Sequence, residues 1–158
     1  MQTLFGWATT EHLSISHEQT DLLQRSLSCP SGWTLINSRC FQYVQKSMTW
    51  ARAERNCLSM GANLASVQDL NEYNQIQIII TAAGHGAKQA WIGGTNAQEE
   101  SIWLWSDGSR FDYTHWCSGQ NNKDGGNQRC LQINYSGAKC WDDLGSNHNL
   151  PSVCAKKP

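Results

Sequence analysis

Apolar positions along the chain change their spacing twice. A Cys-Pro-Ser-Gly-Trp turn begins at Cys29, and Phe41-Gln42-Tyr43-Val44 then alternates aromatic, polar and β-branched residues as a half-buried strand does. The period next lengthens: Trp50, Ala53, Cys57 and Met60 lie three or four apart and share one helical face. Ser47 or Thr49 can cap this helix, and Gly61 can stop it. Asp69 can cap a second helix that bears Leu70, Tyr73, Ile76 and Ile80 and ends near Gly84. The run Ile78-Ile79-Ile80, read alone, also suits a strand. From residue 90 the pattern shortens to strand-like pieces separated by Gly, Asn and Asp, at 90–92, 103–105, 130–134, 140–141 and 152–154. Two helices followed by a strand-rich half predict an α+β class rather than alternating α/β.

Two segments stand apart. Residues 1–28 contain no cysteine and no proline, and Leu22 and Leu23 support at most a short helix, barely stable in water. The segment also lacks the basic start and long apolar run of a signal peptide. It is expected to be a weakly ordered leader or pro-segment ahead of one domain at 29–158. The second segment, CSGQNNKDGGNQ from Cys117 to Gln128, has no apolar residue after its cysteine. A polar loop of that length is normally functional or disordered.

Composition then narrows the function classes. The chain has 158 residues, a formal net charge of -1 and 16% charged residues, which fits a single domain and leaves no basic footprint for nucleic acid or an anionic membrane. No run approaches the ~20 apolar residues of a membrane span. Seven cysteines point to an oxidising, extracellular setting, and their odd number leaves at least one sulfur unpaired within the monomer. No Cys-x-x-Cys occurs, so neither a thioredoxin motif nor a zinc knuckle is supported. His115, His148 and the Asp142-Asp143 pair have no catalytic spacing, and the chain is expected not to be an enzyme. His12, His17 and His85 sit in polar segments and read as surface residues. Asn134-Tyr135-Ser136 is a glycosylation sequon at an expected strand end.

Several ordered signals resemble the long form of the C-type lectin-like domain across residues 29–154. Trp91-Ile92-Gly93-Gly94 is similar to the family's core strand, Trp105-Ser106-Asp107-Gly108 to a following signature, and Trp141-Asp142-Asp143 to its Trp-Asn-Asp strand. A finer resemblance, to fish ladderlectin-type and galactose-binding lectins and to the type II antifreeze proteins, rests on three further stretches. These are Leu27-Ser28-Cys29-Pro30-Ser31-Gly32-Trp33, Ala62-Asn63-Leu64-Ala65-Ser66-Val67 and Lys139-Cys140-Trp141-Asp142-Asp143-Leu144. The resemblance implies two helices packed on antiparallel sheets, with a long polar binding loop and disulfide staples. It implies the bridges Cys29–Cys40, Cys57–Cys154 and Cys117–Cys140. The remaining Cys130 meets Ser146 where the family has its partner cysteine. Cys130 is therefore expected as a free thiol or as the link of a disulfide-bonded dimer, beside a loop more mobile than usual.

The same resemblance implies a site. In sugar-binding members one calcium ion holds both protein oxygens and sugar hydroxyls, and its ligand positions fall here on Gln120, Asn122, Gln128, Asp142 and Asp143, with Asn121 in place of the motif's proline. Calcium takes six to eight oxygens and prefers carboxylates, and only two of these five side chains are acids. The expected calcium site is thus weakened. At the auxiliary calcium position Asn96 and Glu100 remain as oxygen donors, but Lys123 and Arg129 bring cations that repel the ion. Trp105, Trp116 or His115 would offer a face to a sugar ring. The expected function is secreted carbohydrate recognition. The alternative is a calcium-independent type II antifreeze protein, whose same polar surface would contact ice. Antifreeze relatives carry an extra bridge at the positions of Ala97 and Arg129, and this chain lacks it.

Overall fold

The computed structural model describes residues 28–84, 86, 88–118 and 129–158. The expected leader (residue 28 aside), His12, His17, His85 and the loop positions Gln120, Asn121, Asn122, Lys123 and Gln128 lie outside the described residues. In chain order the elements are β1 (Thr34–Ile36), β2 (Arg39–Met48), α1 (Trp50–Ser59), β3 (Asn63–Leu64), α2 (Leu70–Ala82), β4 (Ala90–Thr95), β5 (Leu104–Trp105), β6 (Arg129–Ile133), β7 (Asp142–Gly145) and β8 (Leu150–Lys156).

Local chemistry sets the helix ends. β2 runs on through Ser47, so Thr49 is the cap of α1, its hydroxyl accepting from the Arg52 N–H at 3.4 Å. Gly61, at φ +73°, turns the chain out after Met60. Asp69 caps α2 by accepting from the Glu72 N–H at 2.8 Å. The isoleucine run is helical, because Tyr73, Ile76 and Ile80 recur at helical spacing on the buried face. Leu70, expected on that face, is instead exposed.

The strands form one sheet in the order β1-β2-β8-β4-β6-β7, with β3 beside β8 and β5 beside β4. Every pair is antiparallel except β4 with β8, which run parallel through Trp91 and Ser152. The sheet is therefore mixed. The last strand is inserted between β2 and β4, so the two ends of the domain close on each other. Cys57–Cys154 ties α1 to that strand over a separation of 97 residues, for which the chain-entropy account gives about 4–5 kcal/mol as an upper figure. Cys29–Cys40 and Cys117–Cys140 are the other bridges.

Tryptophan fills the strand-rich half. Trp91 and Trp141 are fully buried, and Trp141 meets Trp105, Phe111, Tyr113 and Trp116 edge-on at 5.8–6.2 Å. Gly93 is required by close approach, since a Cβ there would lie 2.5 Å from the Leu64 carbonyl oxygen. Arg39 on β2 pairs with buried Glu72 on α2 at 2.9 Å and locks sheet to helix. Near it, burial pushes the Asp107 carboxyl up, but hydrogen bonds from Ser109 and Ser66, with the Arg39 charge, hold it below the ordinary carboxylate value. That contribution to stability is present above the unfolded carboxylate's pKa and is lost as pH falls through the depressed value.

Candidate functional site

The strand bearing Asp142 and Asp143 is fixed at its start by three neighbours. The Trp141 N–H donates to His115 O and the Cys117 N–H to Trp141 O, both at 2.8 Å, and the Cys117–Cys140 bridge lies alongside. Register against β6 then sets Asp142 opposite Gln132, Asp143 opposite Leu131, Leu144 opposite Cys130 and Gly145 opposite Arg129. That placement decides the electrostatics.

Arg129 reaches diagonally across the ladder to Asp143. Its Nε lies 2.6 Å from Asp143 Oδ2, an ion pair whose N–H points off the line to the oxygen, and its Nη2 donates to the Asp143 carbonyl at 3.1 Å. The Asp143 side chain is 4% exposed, so the charge it would lend a metal is already neutralised from within the chain. Asn96 is similarly engaged. Its Oδ1 accepts from the Arg129 N–H at 3.1 Å and its Nδ2 donates to the Glu100 carbonyl at 3.0 Å. An asparagine expected as an oxygen donor for an auxiliary ion instead joins two backbone segments.

Asp142 is in the opposite condition. It is buried, its Oδ1 has no hydrogen-bond partner among the described residues, and its pKa is raised by burial first and by the Asp143 charge second. The family's strand motif has asparagine at this place. Asp142→Asn should therefore stabilise the fold at neutral pH by about 1 kcal/mol, because it removes a buried negative charge beside the Asp143 carboxylate. The sign follows from the raised pKa. The ionised carboxylate destabilises the folded state, so the gap between variant and native chain is full at neutral pH and closes as acid protonates Asp142. Urea titrations at pH 7 and pH 4 measure it; equal stability of the two chains at pH 7 contradicts the reading.

The described part of the ligand set does not fit a calcium ion. Of its two acids one is held by Arg129, and no group of three or more His, Cys, Asp or Glu able to hold a metal occurs among the described residues. The expected sugar-stacking faces also narrow. Trp105 is buried against Phe111 and Trp141, which removes it, while Trp116 is half-buried against Trp103 and His115 half-buried beside Tyr73. Burial holds the His115 pKa below the ordinary imidazole value. His148 is exposed, with Nδ1 2.9 Å from Gly145 O. The sequon asparagine Asn134 is buried just beyond β6, at φ +62°, with its Nδ2 donating to Lys88 O at 2.9 Å. Its amide is thus out of reach of glycosylation in the folded chain.

Cys130 is a free thiol, and at 2% exposure it is not at the surface. The intermolecular bridge allowed by the odd cysteine count has no accessible sulfur in this conformation. Burial raises the thiol's pKa, and its hydrogen bonds with the Ser146 and Thr95 side chains pull it part of the way back.

Residues 46–156 match the family described as the lectin C-type domain. Ladderlectin of Oncorhynchus mykiss is 41% identical over 129 residues, covering 82% of this chain and 68% of that protein. The galactose-specific lectin nattectin of Thalassophryne nattereri is 40% identical over 129 residues, covering 82% of this chain and 80% of its own. Among solved structures, a calcium-independent type II antifreeze protein is 39% identical and superposes with a TM-score of 0.74, covering 83% of this chain and 95% of the other.

Proposed function

The chain belongs to the C-type lectin domain family, and on that premise we propose that it is a secreted, non-catalytic carbohydrate-recognition module that needs no calcium. The observation that carries the reading is the Arg129–Asp143 pair. A guanidinium held against the family's ligand strand supplies internally the positive charge that a bound ion would bring. The loop positions Gln120, Asn122 and Gln128 are the proposed sugar contacts, since amides pair with vicinal hydroxyls, and Asp142 and Asp143 belong to the site as its buried strand carboxylates. Three disulfides and similarity to a galactose-specific lectin support the secreted, sugar-binding reading.

A second reading, ice binding, is favoured by the 39% identity to a calcium-independent antifreeze structure. One experiment separates the two. The chain is applied to a glycan panel in calcium and in chelator, and its thermal hysteresis is read on the same preparation. Equal capture of galactose-terminated glycans in both buffers, without hysteresis, is the expected result. Hysteresis with a silent panel transfers the site to ice, and capture only in calcium overturns the calcium-free site.

A further inference from the structure

Where β2 gives way to α1, an open basin of about 580 Å³ is lined by Lys46, Arg52 and Arg55, with Asn56, Ser59 and Asn149 around them. Neither a carboxylate nor an aromatic ring lines it. The basin shares no residue with the β7 site.

Its cations are unusual in this molecule. Of the five described arginines, Arg39, Arg110 and Arg129 each pair with a carboxylate, and the two that pair with none among the described residues are Arg52 and Arg55. Lys46 likewise makes no ion pair among the described residues, and all three side chains are exposed. Their placement works against the helix that carries two of them. Arg52 lies in the first turn of α1, which has no acid to offset it, where the helix dipole disfavours positive charge. Arg55, three residues on, repels it. In a chain of net charge -1, nothing in the fold itself is served by gathering three cations at one hollow.

We propose that this basin is a second binding site, for sugars that carry sulfate or phosphate esters. A tetrahedral oxyanion would relieve the mutual repulsion through charge-assisted hydrogen bonds from the guanidinium groups. The Asn56, Ser59 and Asn149 side chains supply the donors and acceptors that ring hydroxyls need. Nucleic acid fits less well, because the basin offers no ring on which a base can stack. The proposal goes beyond the neutral-sugar reading and stands without it.

The test is titration calorimetry of the full chain and of K46Q/R52Q/R55Q with four probes. These are a sulfated heparin hexasaccharide, its desulfated counterpart, a phosphorylated oligomannose and single-stranded DNA of matched charge. The native chain should bind at least one ester-bearing sugar, at least about tenfold tighter than the desulfated sugar or the DNA, and the triple variant should lose about tenfold or more. The preferred ester then names the source. Amide shifts on adding the sugar should fall at 46–59 and 149, a readout that survives if the triple variant folds poorly. The proposal is overturned by no binding of either ester, by equal binding of DNA, or by shifts confined elsewhere. Neutral-glycan capture by the triple variant should be unchanged.

Discussion

Arg129→Gln should destabilise the domain by about 2–3 kcal/mol and, in the same step, make its stability respond to calcium. The size follows from where the pair sits. Surface ion pairs contribute about 0–1 kcal/mol, whereas breaking a buried pair costs about 3–5. Asp143 is 4% exposed and Arg129 19%, nearer the buried limit on the acid's side only. Removing the guanidinium also leaves two adjacent carboxylates, one of them already raised in pKa, with no ion pair to a cation among the described residues. Calcium at millimolar concentration then has charge to bind, and a ligand present at 100 times its dissociation constant adds about 2.7 kcal/mol. Urea unfolding of both chains, each with calcium and with chelator, measures the two effects. Unchanged stability of the variant would show that the ion pair contributes nothing. Calcium-independent unfolding of a destabilised variant would show that these acids cannot hold the ion even when freed. A double-mutant cycle with Asp143→Asn isolates the pair itself.

What could be read from the sequence divides by range. The Asp69 cap was legible because it acts on an N–H three residues away. The first cap stayed open between Ser47 and Thr49, and the isoleucine run between helix and strand, until the extent of β2 and the buried face of α2 decided them. The inward face of α2 followed from spacing, though Leu70 escaped it: position 70 opens the helix and extends the stripe past the covered surface. The parallel contact between β4 and β8 joins residues about 60 apart, and no local pattern encodes it. Tryptophan was legible as core material in general but not one residue at a time, so Trp105, a candidate sugar platform, proved buried.

The site was half legible for the same reason. Sequence placed Asp142 and Asp143 and flagged Arg129 as a cation near an ion site, but the β6–β7 register decides which acid that cation meets. The basin escaped because its cations come from two elements. Arg52 and Arg55 share a helical face at a spacing the sequence displays, whereas Lys46 joins them only once β2 is folded against α1.

Ser146→Cys should raise stability by about 3 kcal/mol, roughly 10 °C in Tm for a domain of this size, and only under oxidising conditions. Cys130 lies opposite Leu144, and Ser146, two residues further along, faces the same side and hydrogen-bonds the Cys130 sulfur. The Trp50 N–H donates to the Ser146 carbonyl at 3.2 Å, which anchors the backbone there against α1. A second sulfur would therefore be delivered to the first with little rearrangement, closing the loop 130–146 that contains Asp142 and Asp143 and that starts two residues after Gln128. The native thiol is a poor nucleophile by comparison, because burial keeps it protonated, and the native chain should run as a monomer on non-reducing electrophoresis. Intact mass of the variant should fall by two hydrogens on oxidation, and peptide mapping should join 130 to 146. Thermal melts with and without dithiothreitol then read the gain, while Ser146→Ala, which loses only the hydroxyl, should show no redox dependence. A bridge from Cys130 to Cys140, or equal melts in both conditions, would mean that the two side chains do not face each other across β6 and β7. If the bridge forms and glycan capture is unchanged, the loop's recognition geometry needs no freedom at its base; if capture falls, the missing family disulfide is itself part of how this chain binds.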